Sequence, residues 1–224
     1  WGFSSSLQLN LMTNNYDYVI KQQYYLFLPD GRVYYQLPKE GQLDGFNFNR
    51  AQQQDPNNCG TYRVAGGKIV FMRPNGPSAG QSLPFVKQGS NQFKIGPTVY
   101  HKIQSATGLK LNGVYARTSY INLKSPTINS GSVSGETKFL FLPNGQFAKG
   151  GFSGYSASLD TISTAGSSTS PIEQGTYRIT GNTLELVYSN GQRQVHTFFP
   201  NPEQAKGQVP NLIVIDGTSY LFRK

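Results

Sequence analysis

Two histidines, one cysteine and a few paired charges are all that this 224-residue chain offers to catalysis. Counted outward from a two-residue Asn190-Gly191 turn, His196 falls opposite Glu185 and in a row with Arg178. Such a row would supply a base, an orienting carboxylate and an electrophile. On a strand surface the same side chains more often form a solvated ladder of charges. Gly151-Phe-Ser-Gly-Tyr155 begins like a nucleophile elbow but lacks its closing glycine. Cys59 precedes Gly60 with no histidine nearby in sequence, and reads as a structural or incidental thiol. No spacing matches a zinc site or a calcium loop, and no glycine-rich turn leads into a helix to cradle phosphate. The expectation is a non-enzymatic protein without catalytic residues, metal or cofactor.

Composition points to strands. Charged residues are 14%, well under the roughly 25% of an average domain, so solubility rests on Asn, Gln, Ser and Thr. The 14 Tyr, 14 Phe and 25 Gly suit short strands joined by tight turns. The net charge is +9, yet the basic residues are dispersed along the chain rather than gathered in a run. That disfavours nucleic acid as a partner. No apolar run approaches the ~18 residues of a membrane helix. The sequence opens at Trp1-Gly2-Phe3 without a basic-then-apolar stretch, as expected of a mature or trimmed product. The single cysteine excludes an internal disulfide, and no Asn-x-Ser/Thr sequon occurs. A secreted or cell-surface location, in a bacterium, is the expectation.

The elements that must position any site come in two copies. Tyr24-Tyr-Leu-Phe-Leu-Pro-Asp-Gly-Arg-Val33 recurs as Lys138-Phe-Leu-Phe-Leu-Pro-Asn-Gly-Gln-Phe147. Gly60-Thr-Tyr-Arg-Val64 recurs as Gly175-Thr-Tyr-Arg-Ile179, each with a proline four residues earlier (Pro56 and Pro171). Thr98-Val-Tyr100 answers Thr218-Ser-Tyr220. Co-linear matches of this kind predict a tandem duplication, with domains at 1–107 and 108–224.

Each copy reads as about eight strands. They are expected at 1–11, 22–28, 32–37, 60–64, 68–73, 82–88, 92–96 and 99–103. In the second copy they fall at 113–121, 136–142, 146–152, 175–179, 183–189, 192–199, 211–216 and 218–223. Leu-Pro-Asp/Asn-Gly predicts a type I turn closed by a glycine bulge, pairing Phe27 with Val33 and Phe141 with Phe147. Tyr25, Tyr35, Tyr62 and Tyr177 then share the inner face with these residues. Turns at Gly66-Gly67 and Gly181-Asn182 pair Val64 with Ile69 and Ile179 with Leu184. Asn190-Gly191, taken as a type I′ turn, pairs Leu186 with Val195. Eight antiparallel strands in succession can close on themselves and remove their edges. The predicted fold is all-β, two tandem up-and-down barrels, with a β-sandwich as the alternative.

The strand count, with Gly113-Val114-Tyr115 opening the second copy, resembles a lipocalin-like (calycin) barrel, whose first strand opens on Gly-x-Trp. Trp1 stands at the same place in the first copy. The repeated hairpin leading to Gly-Thr-Tyr-Arg also resembles secreted bacterial barrel domains without assigned roles. The resemblance implies a binding module for a small apolar ligand or a glycan.

Two groups of residues are candidates for a site. The long connections at 38–59 and 153–174 both contain Leu-Asp (Leu43-Asp44 and Leu159-Asp160). Asp44 could cap a short helix running from Gly45 toward Gln54. The connection would then be a lid whose Phe46 and Phe48 touch a ligand, or a plug that seals the barrel. Tyr24, Leu26, Leu28 and Tyr34, with Leu140 and Leu142 in the second copy, point outward. Such apolar outer strips predict that at least one is covered by the other barrel, by the long connection or by a neighbouring chain. The large inward residues (Phe27, Tyr62, Phe71; Phe141, Tyr177, Leu186) favour a filled core. The first expectation is therefore a structural or assembly protein that self-associates or meets a cell-surface partner. The ligand-binding module is the alternative.

Overall fold

The computed structural model describes residues 2–10, 15–38, 42–73, 80–125, 128–159, 162–203 and 208–223. They form two compact units, one of residues 2–10 and 15–104, the other beginning at Ser105. No described helix is long and apolar enough to cross a membrane.

The first unit contains β1 (Gly2–Asn10), β2 (Asn15–Gln23), β3 (Leu26–Phe27), β4 (Arg32–Tyr34), α1 (Phe48–Gln54), β5 (Cys59–Ala65), β6 (Lys68–Met72), β7 (Gln81–Lys87), β8 (Gln92–Ile95) and β9 (Thr98–His101). Its nine strands make one antiparallel sheet in the order β2-β1-β9-β8-β7-β6-β5-β4-β3. The sheet is curled but its ladder is not closed, which corrects the expected full barrel. The strand expected at 22–28 is divided, because Tyr24 and Tyr25 leave the ladder between β2 and β3. The Tyr25 ring turns inward, 5.2 Å from Phe71 and 5.2 Å from Tyr100. β1 meets β9 at one pair, Gly2 with Tyr100.

The second unit contains β10 (Gly113–Ser125), β11 (Ile128–Phe141), β12 (Gln146–Leu159), β13 (Ile162–Thr180), β14 (Thr183–Tyr188), β15 (Arg193–Pro200), β16 (Leu212–Ile215) and β17 (Thr218–Arg223). These close into an eight-stranded antiparallel barrel in chain order. Closure runs through three pairs between β10 and β17, from Val114–Arg223 to Ala116–Leu221.

The repeated turns fold identically. Leu28 N–H donates to Arg32 O (2.8 Å) and Gly31 N–H to Leu28 O (3.1 Å); Leu142 donates to Gln146 (2.9 Å) and Gly145 to Leu142 (3.0 Å). Gly31 and Gly145 both have φ +86°, the left-handed conformation that a glycine bulge requires. The Asp30 and Asn144 side chains each accept the N–H two residues on, at 3.1 Å. The expected pairs Phe27–Val33, Phe141–Phe147, Val64–Ile69 and Ile179–Leu184 all form.

The Asn190-Gly191 hairpin differs by one residue. Tyr188 N–H donates to Gln192 O (2.8 Å) and Gly191, at φ +85°, donates to Tyr188 O (2.9 Å). This is the same three-residue bulged loop as the Pro-Asn-Gly turn, not a type I′ turn. Leu186 therefore pairs with Gln194 and Glu185 with Val195. Single-residue slips exchange faces, so the expected His196–Glu185 row does not exist.

The two long connections diverge. Residues 153–159 and 162–174 continue β12 and β13 as paired strands instead of a loop. The segment is rich in Ser and Thr and holds one proline, Pro171, beside a ladder irregularity between Lys149 and Gly151. In the first unit β4 stops at Tyr34, shortly before Pro38, which has no N–H to give a ladder. The chain then makes a 3-10 turn at Gln42–Gly45 and the helix α1. That helix is capped by Asn47, whose side chain accepts Arg50 N–H, and not by Asp44.

Candidate functional site

The inner face of the first unit packs Val33, Ile69, Phe71, Ile95 and Tyr100 with Tyr25, Phe27, Tyr62, Phe85 and Phe93 around them. Outside the sheet a second cluster joins Tyr34, Phe48 and Cys59 with Leu26, Leu28, Phe46 and Ala51. The long connection thus lies over the outer strip of β3 and β4. Phe48 is buried there, Leu43 and Phe46 are half-buried, and Asp44 is exposed. Among the described residues of the second unit, no helix covers the equivalent strip. Leu140 is 38% exposed, and Phe152 and Ile172 are also exposed; Leu142 is half-buried. Asp160 and the Leu159 side chain lie outside the described residues.

A pocket of about 410 Å³ opens in the first unit. One wall is Tyr24–Phe27, and another is the end of β9 at His101 with Lys102 and Ile103 beyond it. Phe85, Phe93, Leu37, Pro38 and Leu43 also line it. Tyr24 itself is half-buried and its hydroxyl donates to Gln22 at 2.6 Å. A smaller, polar pocket of about 290 Å³ lies against α1, lined by Tyr34, Phe46, Arg50 and Asp55 among others. There the Tyr34 hydroxyl donates to Asp55 Oδ2 at 2.9 Å. Burial, and then this hydrogen bond, push its pKa up to about 12. Burial also raises the Cys59 thiol, which keeps it protonated and unreactive at neutral pH.

The second unit is filled. Tyr115, Phe141, Leu184, Leu186 and Phe198 are fully buried, with Phe139, Phe147 and Tyr188 nearly so. The segment ahead of β10 completes this core. Ala106 N–H donates to Gly181 O (2.8 Å), and Leu111 is buried with its N–H bonded to the Tyr177 hydroxyl at 2.9 Å.

His196 sits on the face opposite Glu185. Its Nδ1 is 2.7 Å from Asp216 Oδ2, while Asp216 Oδ1 accepts Thr197 N–H at 2.8 Å. Glu185 instead takes Arg178 (2.9 Å) and Arg193 (2.6 Å), whose guanidiniums hold its carboxyl below the usual range. Asp216 was legible as part of an Asp216-Gly217 hairpin turn, and its φ of +47° fits that signal. A second pairing carried no such signal. In the first unit Arg73 stacks 3.6 Å over the Tyr35 ring. At the equivalent places of the second unit cation and aromatic are exchanged, as Lys149 and Tyr188, with Lys149 3.4 Å from Glu173.

No family model, curated protein or solved structure matches this chain. The fold defines an all-β protein of the antiparallel barrel class.

The buried tyrosines set an alkaline limit on stability. Burial pushes both Tyr34 and Tyr115 from the ordinary 10.0 up to about 12. Between these values the unfolded chain loses the phenolic proton while the folded chain keeps it. Their contribution is fully present below pH 10 and is lost as pH rises toward 12. Urea midpoints measured across this range should fall steadily, and phenolate absorbance should show a late-titrating fraction. A flat midpoint would place these rings in water.

Proposed function

We propose that the chain is a non-enzymatic structural or assembly protein, secreted or on the cell surface of a bacterium, built from two tandem lipocalin-like units, one a closed barrel and the other a curled, open sheet. Supporting the tandem reading, β2 and β3 together correspond to β11, so the two units share one cyclic strand order. Tyr62 N–H to Gly31 O and Tyr177 N–H to Gly145 O, both 2.7 Å, are one of several bonds present twice.

The observation that carries the assembly reading is the difference between the outer strips. Leu26, Leu28 and Tyr34 are covered by Phe46 and Phe48 from within the unit. Leu140, Phe152 and Ile172 lie on the outer side of β11–β13, exposed by 38%, 43% and 77%. Fully burying an exposed leucine is worth roughly 1.5–3 kcal/mol; for Leu140, already more than half buried, association would gain about a third of that, with Phe152 and Ile172 adding to it. Light scattering over a concentration series should show self-association. Leu140→Thr should weaken it while circular dichroism stays unchanged, since threonine keeps strand propensity. A protein that is monomeric at every concentration would overturn the reading.

The pocket beside β3 favours a second reading, a binding module for a small apolar ligand or glycan. Its size is in the range of ligand sites, and aromatic rings with a few amides and Lys102 line it. Saturable binding of a naphthyl probe or a soluble oligosaccharide by the monomer would favour this reading.

A further inference from the structure

The long connection of the first unit, where the second unit continues its strands, builds a cleft against β4. The helix α1 turns two faces. Phe48 packs in the outer cluster, buried, with the Arg32 guanidinium 4.7 Å over its ring. Asn47, Arg50, Ala51 and Gln54 recur at spacings of three and four, which places them together on another face. That face lines the polar pocket of about 290 Å³, with Phe46, Tyr34 and Gln36.

Side-chain bonds pin this cleft. The Tyr34 hydroxyl donates to Asp55 at 2.9 Å, and the Asn58 amide lies 3.0 Å from each oxygen of the same carboxylate. Asp55 N–H in turn donates to Ala51 O at 2.7 Å. The Asn47 side-chain oxygen accepts Arg50 N–H at 3.0 Å, which leaves the Asn47 amide hydrogens to donate elsewhere. The tyrosine and the helix occur together: Leu26 pairs with Tyr34, whereas in the second unit Leu140 pairs with Ala148.

The lining chemistry selects a ligand. Asp55 is engaged by Tyr34 and Asn58. Arg50 is exposed, and its guanidinium has no carboxylate partner among the described residues, so it is the charge left to a ligand. One guanidinium suits one carboxylate, whereas a phosphate group, with nearly two negative charges, would call for a second cation. The amides of Gln36, Asn47 and Gln54 can each donate and accept, as sugar hydroxyls require. The half-buried Phe46 ring offers an apolar surface, and the chain's net charge of +9 favours an anionic partner.

We propose that this cleft is a saccharide-binding site that takes one carboxylate-bearing sugar unit. The carboxylate meets Arg50, the ring face meets Phe46, and the hydroxyls meet the amides. The volume, at the lower end of ligand sites, suits a single ring. Gln36, Leu37 and Pro38 also line the pocket beside β3, but Arg50 and Gln54 do not, and neither belongs to the exposed strip of the second unit. The site is therefore independent of self-association and of that other pocket.

The test is titration of the 224-residue protein with methyl glucuronide, followed by NMR of backbone and side-chain amides. Saturable shifts are expected at Asn47, Arg50 and Gln54. Uncharged methyl glucoside should bind about tenfold more weakly, because the charge-assisted bonds to the guanidinium are lost. Arg50→Gln, at an exposed position, should weaken glucuronide by about tenfold and erase its advantage over the glucoside, with circular dichroism unchanged. Absence of saturation, shifts at Phe85 and Phe93 without shifts at Arg50, or unchanged affinity in Arg50→Gln would overturn the proposal. So would tighter binding of inorganic phosphate or of an acidic tripeptide at the same residues.

Discussion

Replacing Gly175 by alanine is expected to destabilise the closed barrel by at least about 3 kcal/mol, among the larger effects of a single substitution. A Cβ there would lie 2.0 Å from the Val187 carbonyl oxygen and 2.8 Å from Tyr188 Cα. These are backbone atoms of the neighbouring strand, so no side chain can turn aside to make room. β13 and β14 would have to separate where Gly175 pairs with Tyr188, and overpacking of this kind is not relieved locally. Gly60 holds the same place in the first unit, where a Cβ would come 2.6 Å from Met72 O. Gly60→Ala should therefore destabilise the other unit, and by less. Calorimetry that resolves the two transitions checks both. A loss under about 1 kcal/mol for Gly175→Ala would mean that the strands do not approach this closely.

Phe141→Ala should cost about 3–5 kcal/mol. The side chain is fully buried, with Tyr177, Phe139 and Tyr115 at ring distances of 4.9, 5.6 and 6.1 Å. Its removal would leave a cavity walled by aromatic rings, which repack poorly because they are rigid. Phe27 is its counterpart but is half-buried, lining the pocket. Phe27→Ala should cost clearly less. Urea titration of both variants gives the comparison, and equal losses would argue that the two cores are equally closed.

The same contrast separates what was legible in the residues from what was not. The Pro-Asp-Gly and Pro-Asn-Gly turns impose their own bulged geometry, because Gly31 and Gly145 alone accept φ +86° at no steric cost. Once those turns are placed, side-chain alternation assigns Phe27 and Phe141 inward and Leu26 and Leu140 outward. Asn190-Gly191 misled by one residue because the dipeptide suits both a two-residue and a bulged three-residue turn. That single slip hid the approach of His196 to Asp216, twenty positions away in sequence.

The sequence by itself determined the strand-rich class, the recurrence of its hairpin motifs, four of the hairpin registers and the filled core of the second unit. These come from local turn chemistry and from period-two alternation, which need only neighbouring residues. Tertiary structure alone decided that one ladder closes and the other does not, that Phe46 and Phe48 cover an outer strip, and that residues 153–159 and 162–174 extend two strands. Ladder closure turns on a few pairs between strands from opposite ends of a unit, three between β10 and β17 and one between β1 and β9. Nothing in Tyr24–Phe27 or His101–Ile103 encodes that, since a strand edge offers the same N–H and C=O groups whether or not a partner arrives.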